Sequence, residues 1–170
     1  MIPAHLPNTM HPGFLRLTAT VLAGAALCLG ITLAAPYEAG SQVQSFTAKD
    51  QHENAFTLKP ADTRFLLVSH DMETGKKANA ALNALGKDYL GSKKAVYVAN
   101  IHGMPGIGRM FAMPKMKKYV HRIILGDDEA LIAKFPEQKG KVTVLKLDDG
   151  KVNSITYWTP GAETLNDSLK

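Results

Sequence analysis

The chain has 170 residues, 45% apolar and 21% charged, with 14 glycines and 9 prolines. These proportions describe one globular domain and exclude a collagen, a coiled coil, a disordered tail and a polytopic membrane protein. The formal charge of +5 is spread along the chain, which points away from nucleic acid. The single cysteine, Cys28, rules out an intrachain disulfide, a CxxC pair and a cysteine-rich zinc site.

Residues 17–35 are uncharged and mostly apolar, preceded by Arg16 and by no acidic residue. As a helix this run reaches about 28 Å, close to the roughly 30 Å hydrocarbon core of a bilayer. It is expected to be a signal peptide, for which Thr32-Leu33-Ala34 offers a cleavage site, or an uncleaved N-terminal anchor. Leu27 is not the small residue a lipoprotein signal needs, so Cys28 reads as an apolar filler. The expected organisation is a leader over 1–35, a linker over 36–42 and a folded domain over 43–170. That domain is expected outside the cytoplasm, in a bacterial periplasm or held at the inner membrane by residues 17–35.

Within the domain, Val43–Lys49 and Ala55–Leu58 flank a polar turn and predict a short hairpin, broken by Lys59-Pro60-Ala61-Asp62. The continuous apolar run Phe65–Val68 predicts a strand buried on both faces. Ala78, Ala81, Leu82 and Leu85 recur at helical spacing, and Gly86 stops the helix. A second buried strand follows over Ala95–Ala99. Pro105 opens a helix whose face of Ile107, Met110 and Phe111 is expected to be core, and which Pro114 ends or kinks. Ile123–Leu125 is a third strand, and Asp127 or Asp128 caps a short helix carrying Ala130, Leu131 and Phe135. Val142–Leu147 and Val152–Trp158 flank Asp148-Asp149-Gly150 and predict a second hairpin. Thr159-Pro160 opens a last helix with Ala162, Leu165 and Leu169 on one face.

The order is a leading hairpin, then βαβαβα, then ββα: an α/β domain with a central mixed sheet. This order resembles the thioredoxin arrangement. Three segments bring it closer to the peroxiredoxin and cytochrome-maturation branch: residues 45–52 (SFTAKDQH), Arg64–His70 before the helix, and the late hairpin over 142–152. The resemblance implies a redox motif at the start of the helix after the central strand, where the helix dipole lowers a thiol pKa. Here that stretch reads Ser69-His70-Asp71-Met72-Glu73-Thr74-Gly75-Lys76, without a cysteine. Val142 stands where those enzymes carry a proline. Met72 cannot replace a thiolate, because a thioether is a ligand and not a nucleophile. Thiol-disulfide exchange and thiol peroxidase chemistry are therefore not expected.

Two segments share a spelling, His70-Asp71-Met72 and His102-Gly103-Met104. The resemblance makes the strands before them parallel neighbours, so both pairs are expected at the C-terminal edge of the sheet. Two imidazoles and two thioethers form a soft set suited to Cu(I). The alternative places both histidines in solvent and both methionines as plugs at the end of the core. Met110, Met113 and Met116 offer a second methionine spacing, with Met110 expected in the core and the other two exposed beside Pro114. Lys115, Lys117, Lys118 and Arg122, with His121 at its edge, form a basic cluster. It reads as a solvated face or as a contact for anionic headgroups or an acidic partner.

The function expected is an exported, redox-inactive binding or interaction module. Its partner would be a protein or small ligand of the cell envelope, with contact to an anionic membrane surface open. A copper(I) carrier using His70, Met72, His102 and Met104 is a second expectation. A cofactor-dependent oxidoreductase needing no cysteine is a third.

Overall fold

The structure, a computed structural model, describes residues 35–170. The predicted leader, with Cys28 and the apolar run, lies outside the described residues except for Ala35. Seven strands form one mixed sheet: β1 (Thr47–Asp50), β2 (Ala55–Thr57), β3 (Phe65–Ser69), β4 (Ala95–Asn100), β5 (Ile124–Gly126), β6 (Val142–Asp148) and β7 (Lys151–Trp158). Their spatial order is β2-β1-β5-β4-β3-β6-β7. β3, β4 and β5 run parallel, while β6 lies antiparallel to β3 on its other side.

Every residue of β3 is buried, because it sits mid-sheet with apolar layers above and below. Alternation along the strand feeds two cores. Phe65 and Leu67 join Tyr97, Ala99, Val142, Val144 and Trp158 on one face. Leu66 and Val68 join Val98, Ile124, Leu145 and Leu147 on the other. Helix α1 (Met72–Leu85) covers the first face with Ala78 and Leu82, aided by Leu90 of α2 (Tyr89–Ser92). Leu165 of α5 (Leu165–Ser168) and the following Leu169 complete that layer. The second face is closed by Ile132 of α4 (Glu129–Ile132), Phe135, Val43 and Leu58. No helix among the described residues is long and apolar enough to cross a membrane.

Four local expectations differ from what is observed. The segment read as a linker is stitched to the domain: the Tyr37 amide donates to the Lys134 carbonyl, the Gly40 amide to that of Val152, and Tyr37 packs edge-on against Phe135. The predicted last helix is shorter than its apolar spacing suggests. Residues 159–163 form a turn instead, held where Trp158 Nε1 donates to the Glu163 carbonyl at 2.9 Å. Pro114 does not end its helix, since α3 runs Gly106–Met116 with the proline inside it. The basic cluster loses two members, because Arg122 pairs with Asp50 at 3.1 Å and His121 is buried. The late hairpin turns as its sequence requires, with Asp149 and Gly150 both at positive φ (46° and 77°). At Gly150 a Cβ would also lie 3.0 Å from Pro60 Cβ, a tight contact that adds to the demand of the positive φ.

His121 is a titratable group held closely by this packing. Its Nε2 donates to Asn79 Oδ1 at 3.0 Å, its Nδ1 has no partner, and the rings of Tyr97 and Tyr119 lie beside it. Burial pushes its pKa down to about 4. A depressed histidine stabilises the fold fully above the unfolded pKa near 6.5 and loses that contribution as pH falls toward the folded value. About 2 kcal/mol should therefore vanish between pH 7.5 and pH 5. Urea unfolding of residues 36–170 across that range checks it. His121→Gln should flatten the pH slope, though not abolish it, because His70 is depressed in the same direction.

Candidate functional site

The parallel pairing of β3 with β4 sets Ser69 beside Ala99, so the two loops that follow emerge side by side at the C-terminal edge. Asn100 ties them together. Its Nδ2 donates to the His70 carbonyl at 3.0 Å, and its Oδ1 accepts from the His102 amide at 2.9 Å. At the start of α1, Asp71 has extended backbone and caps the helix, accepting from the Thr74 amide at 2.8 Å and the Thr74 hydroxyl at 2.6 Å. Partial burial opposes its charge, but the Thr74 bonds outweigh it and hold the carboxyl below the usual range. Beneath the cap, the Ser69 and Tyr97 hydroxyls share a buried hydrogen bond of 2.8 Å. Gly75 packs over this pair, and a Cβ there would meet Ser69 Oγ at 3.4 Å, an ordinary contact.

Between α1 and α3 this edge opens into a half-open pocket of about 250 Å³. Met72, Ala99, Met104, Phe111, Ala112 and Met116 supply its apolar wall, with Ser69, Asn79 and Tyr119 among its polar members. Lys76 and Lys115 belong to its lining as well. Lys76 stands 3.6 Å from Glu73, whereas Lys115 forms no ion pair among the described residues. An apolar cleft with a few convergent polar groups is the usual form of a small-molecule site. Its volume matches roughly eight water-sized groups.

The predicted ligand set divides. Met72 and Met104 line the same pocket, as expected of neighbouring loops. His70 and His102 do not line it. His70 Nε2 instead meets Thr143 Oγ1 at 3.1 Å, across on β6. Loss of water lowers its pKa despite the opposing charges of Glu137 and Asp71. His102 faces Glu129 at 3.7 Å. Among the described residues no three His, Cys, Asp or Glu side chains gather where they could hold a metal ion.

The methionines of α3 exchange the roles expected of them. Met110 is exposed beside Ile107 and Phe111, Met113 packs against the first core, and Met116 is buried within it. The helical spacing of Ile107, Met110 and Phe111 was visible in sequence, yet spacing locates an apolar face without saying what covers it. The pocket's floor was missed altogether. Ser69 and Asn79 line it, with Tyr97 bonded behind Ser69, and these are polar residues within core elements.

No family model matches the chain, and no curated protein matches it. Solved structures do. The fold is similar to that of peroxidoxin BcpB from Mycobacterium tuberculosis, at 14% identity and a TM-score of 0.53, covering 78% of this chain and 94% of that one. It is similar to the thioredoxin domain of a thiol-disulfide oxidoreductase from Bacteroides vulgatus, at 16% identity and a TM-score of 0.50, covering 79% and 99%. A peroxiredoxin-like protein from Aquifex aeolicus aligns at 10% identity and a TM-score of 0.52, covering 81% and 88%. The fold is thioredoxin-like. At these identities the likeness is one of fold alone.

Proposed function

We propose that this protein is an exported, redox-inactive binding module that takes a small, mostly apolar ligand bearing one anionic group. The observation that carries this reading is the apolar pocket between α1 and α3, with Lys115 in its lining free to meet an anion. The redox-inactive part rests on the cap: Asp71 and Thr74 occupy the helix start where the resemblance implies a thiolate, and no residue from 36 to 170 is a cysteine. Export rests on the acid-free, apolar leader. Octanoate offers an apolar chain and one carboxylate to this lining, and octanol serves as its neutral counterpart. Titration calorimetry on residues 36–170 should show saturable octanoate binding and weaker octanol binding. Ala112→Trp fills the cleft and should cut affinity at least tenfold. Lys115→Glu should weaken octanoate about fivefold, as expected for an exposed ion pair of about 1 kcal/mol, and leave octanol unchanged. Equal binding by wild type and Ala112→Trp would refute the site.

A soft-metal reading has one observation in its favour: three thioethers, those of Met72, Met104 and Met116, line one pocket. Thioethers prefer Cu(I) to harder ions. The imidazoles of His70 and His102 are engaged elsewhere, so in this reading they contribute little. Competition against a Cu(I) chelator should then be abolished by Met72→Leu with Met104→Leu, and survive His70→Ala with His102→Ala. Abolition by the histidine pair instead would restore the four-ligand set predicted from sequence.

A further inference from the structure

We infer that Asn79 is the residue by which the cleft between α1 and α3 selects a carboxylate, its Nδ2 donating to the ligand's head while His121 holds the amide in place. This role rests on the cleft reading above and adds to it the residue that selects the head group.

Asn79 is 5% exposed and lines the cleft from the middle of α1. Among the described residues its side chain makes one hydrogen bond, in which Oδ1 meets His121 Nε2 at 3.0 Å. The imidazole decides which way the amide faces. His121 is buried, and its Nδ1 has no partner. A neutral imidazole carries one proton, and a buried N–H left unbonded is costly. The proton therefore sits on Nε2, where Oδ1 accepts it, and Nδ1 keeps a lone pair. Oδ1 is thereby fixed toward the ring, and Nδ2 turns away from it. Among the described residues His121 Nδ1 is the one sealed side-chain polar atom without a partner, so Nδ2 keeps accessible surface. The space that Asn79 lines is the cleft, and two N–H donors are offered to it.

The helices set a cation beside them. β3 and β4 are parallel, so α1 and α3 leave the same sheet edge and run back side by side. Met72 and Asn79 line the cleft seven residues apart on α1, and Gly108 and Lys115 seven apart on α3, about 10 Å in each case. The Val120 amide donates to Asn83 Oδ1 at 3.0 Å and, with the His121 bond, ties the chain past α3 to α1. Asn79 and Lys115 therefore share the inner end, while Met72 and Met104 lie toward the sheet edge. Both polar groups only donate. A carboxylate, which only accepts, satisfies both, and its apolar chain then runs toward the methionines. An ammonium head would meet donors alone.

Titration calorimetry on the full-length protein with octanoate, octanamide and octanol tests this. Wild type should bind octanoate more tightly than octanamide. Asn79→Asp keeps the side chain's shape and the bond from His121, but sets an oxygen where Nδ2 stands. It should weaken octanoate at least about tenfold, as expected on losing a charge-assisted hydrogen bond, and leave octanol within about twofold. The new oxygen should accept from octanamide, so the variant should prefer octanamide to octanoate, a reversal that damage to the fold would not produce. His121→Leu should lower the octanoate-to-octanol affinity ratio about fivefold, and His121→Gln, whose amide can donate in place of Nε2, should recover most of it. Circular dichroism and octanol binding report whether each variant keeps its fold. Octanoate binding that Ala112→Trp blocks but Asn79→Asp leaves unchanged would overturn the role of Asn79 and leave the cleft reading standing. Equal loss of octanoate and octanol in a folded Asn79→Asp would also overturn it, since Asn79 would then shape the cleft rather than select the head. A wild type that binds no octanoate would refute the cleft reading and this role together.

Discussion

Burial of β3 on both faces is the constraint from which the other elements follow. Phe65–Ser69 hydrogen bonds to β4 on one side and β6 on the other, so the strand has no edge and no wet face. An apolar strand so placed needs a layer of side chains above and below. The chain supplies one from α1, α2 and α5, the other from α4, Phe135, Val43 and Leu58. Each fully buried Leu or Phe contributes about 1.5–3 kcal/mol, so the two layers account for most of the driving force for this topology. The segment after residue 35 takes part too, since Tyr37 packs beside the second layer.

The same constraint fixes where chemistry is possible. β3 ends at Ser69, and the chain must turn there at once into α1, with β4 ending in register beside it. This edge gathers backbone ends, helix starts and loop side chains in a small volume, which is why α/β folds place ligands there. In this protein the position is filled by groups that satisfy one another: Asp71 with Thr74, Ser69 with Tyr97, Asn100 with both loops. Those pairs hold the edge rigid and leave α3 leaning over a cleft. Among the described residues this edge carries no thiol.

Much of the fold was legible because its signals are local. The β3 run, the Gly86 stop, the Asp149-Gly150 turn and the order of strands and helices all depend on near neighbours in sequence. The site was legible in part. Met72 and Met104 line one pocket because parallel strands set their loops together. His70 and His102 were placed with them by the same strand argument, whereas Thr143 and Glu129, distant in sequence, decide where the imidazoles turn. Ile107, Met110 and Phe111 were read as core because a helical stripe normally meets a core. Here the inner surface of α3 is made by Met113 and Met116 with Arg109, whose guanidinium binds the Ile101 carbonyl at 3.1 Å. The apolar stripe is thereby left outside. His121 and Asn79 form a buried polar pair that no periodicity reveals, since two polar letters far apart carry no joint signal.

The central claim is that the cleft between α1 and α3 is the recognition site of a protein built on a redox fold. Amide chemical-shift mapping of residues 36–170 during titration with octanoate tests this most directly, because it reports location independently of affinity. Saturable shifts concentrated in residues 69–79 and 99–119, with β7 and α4 silent, are the expected result. Shifts centred on α4, Tyr37 or the hairpin of β6 and β7, with the cleft unaffected, would contradict it.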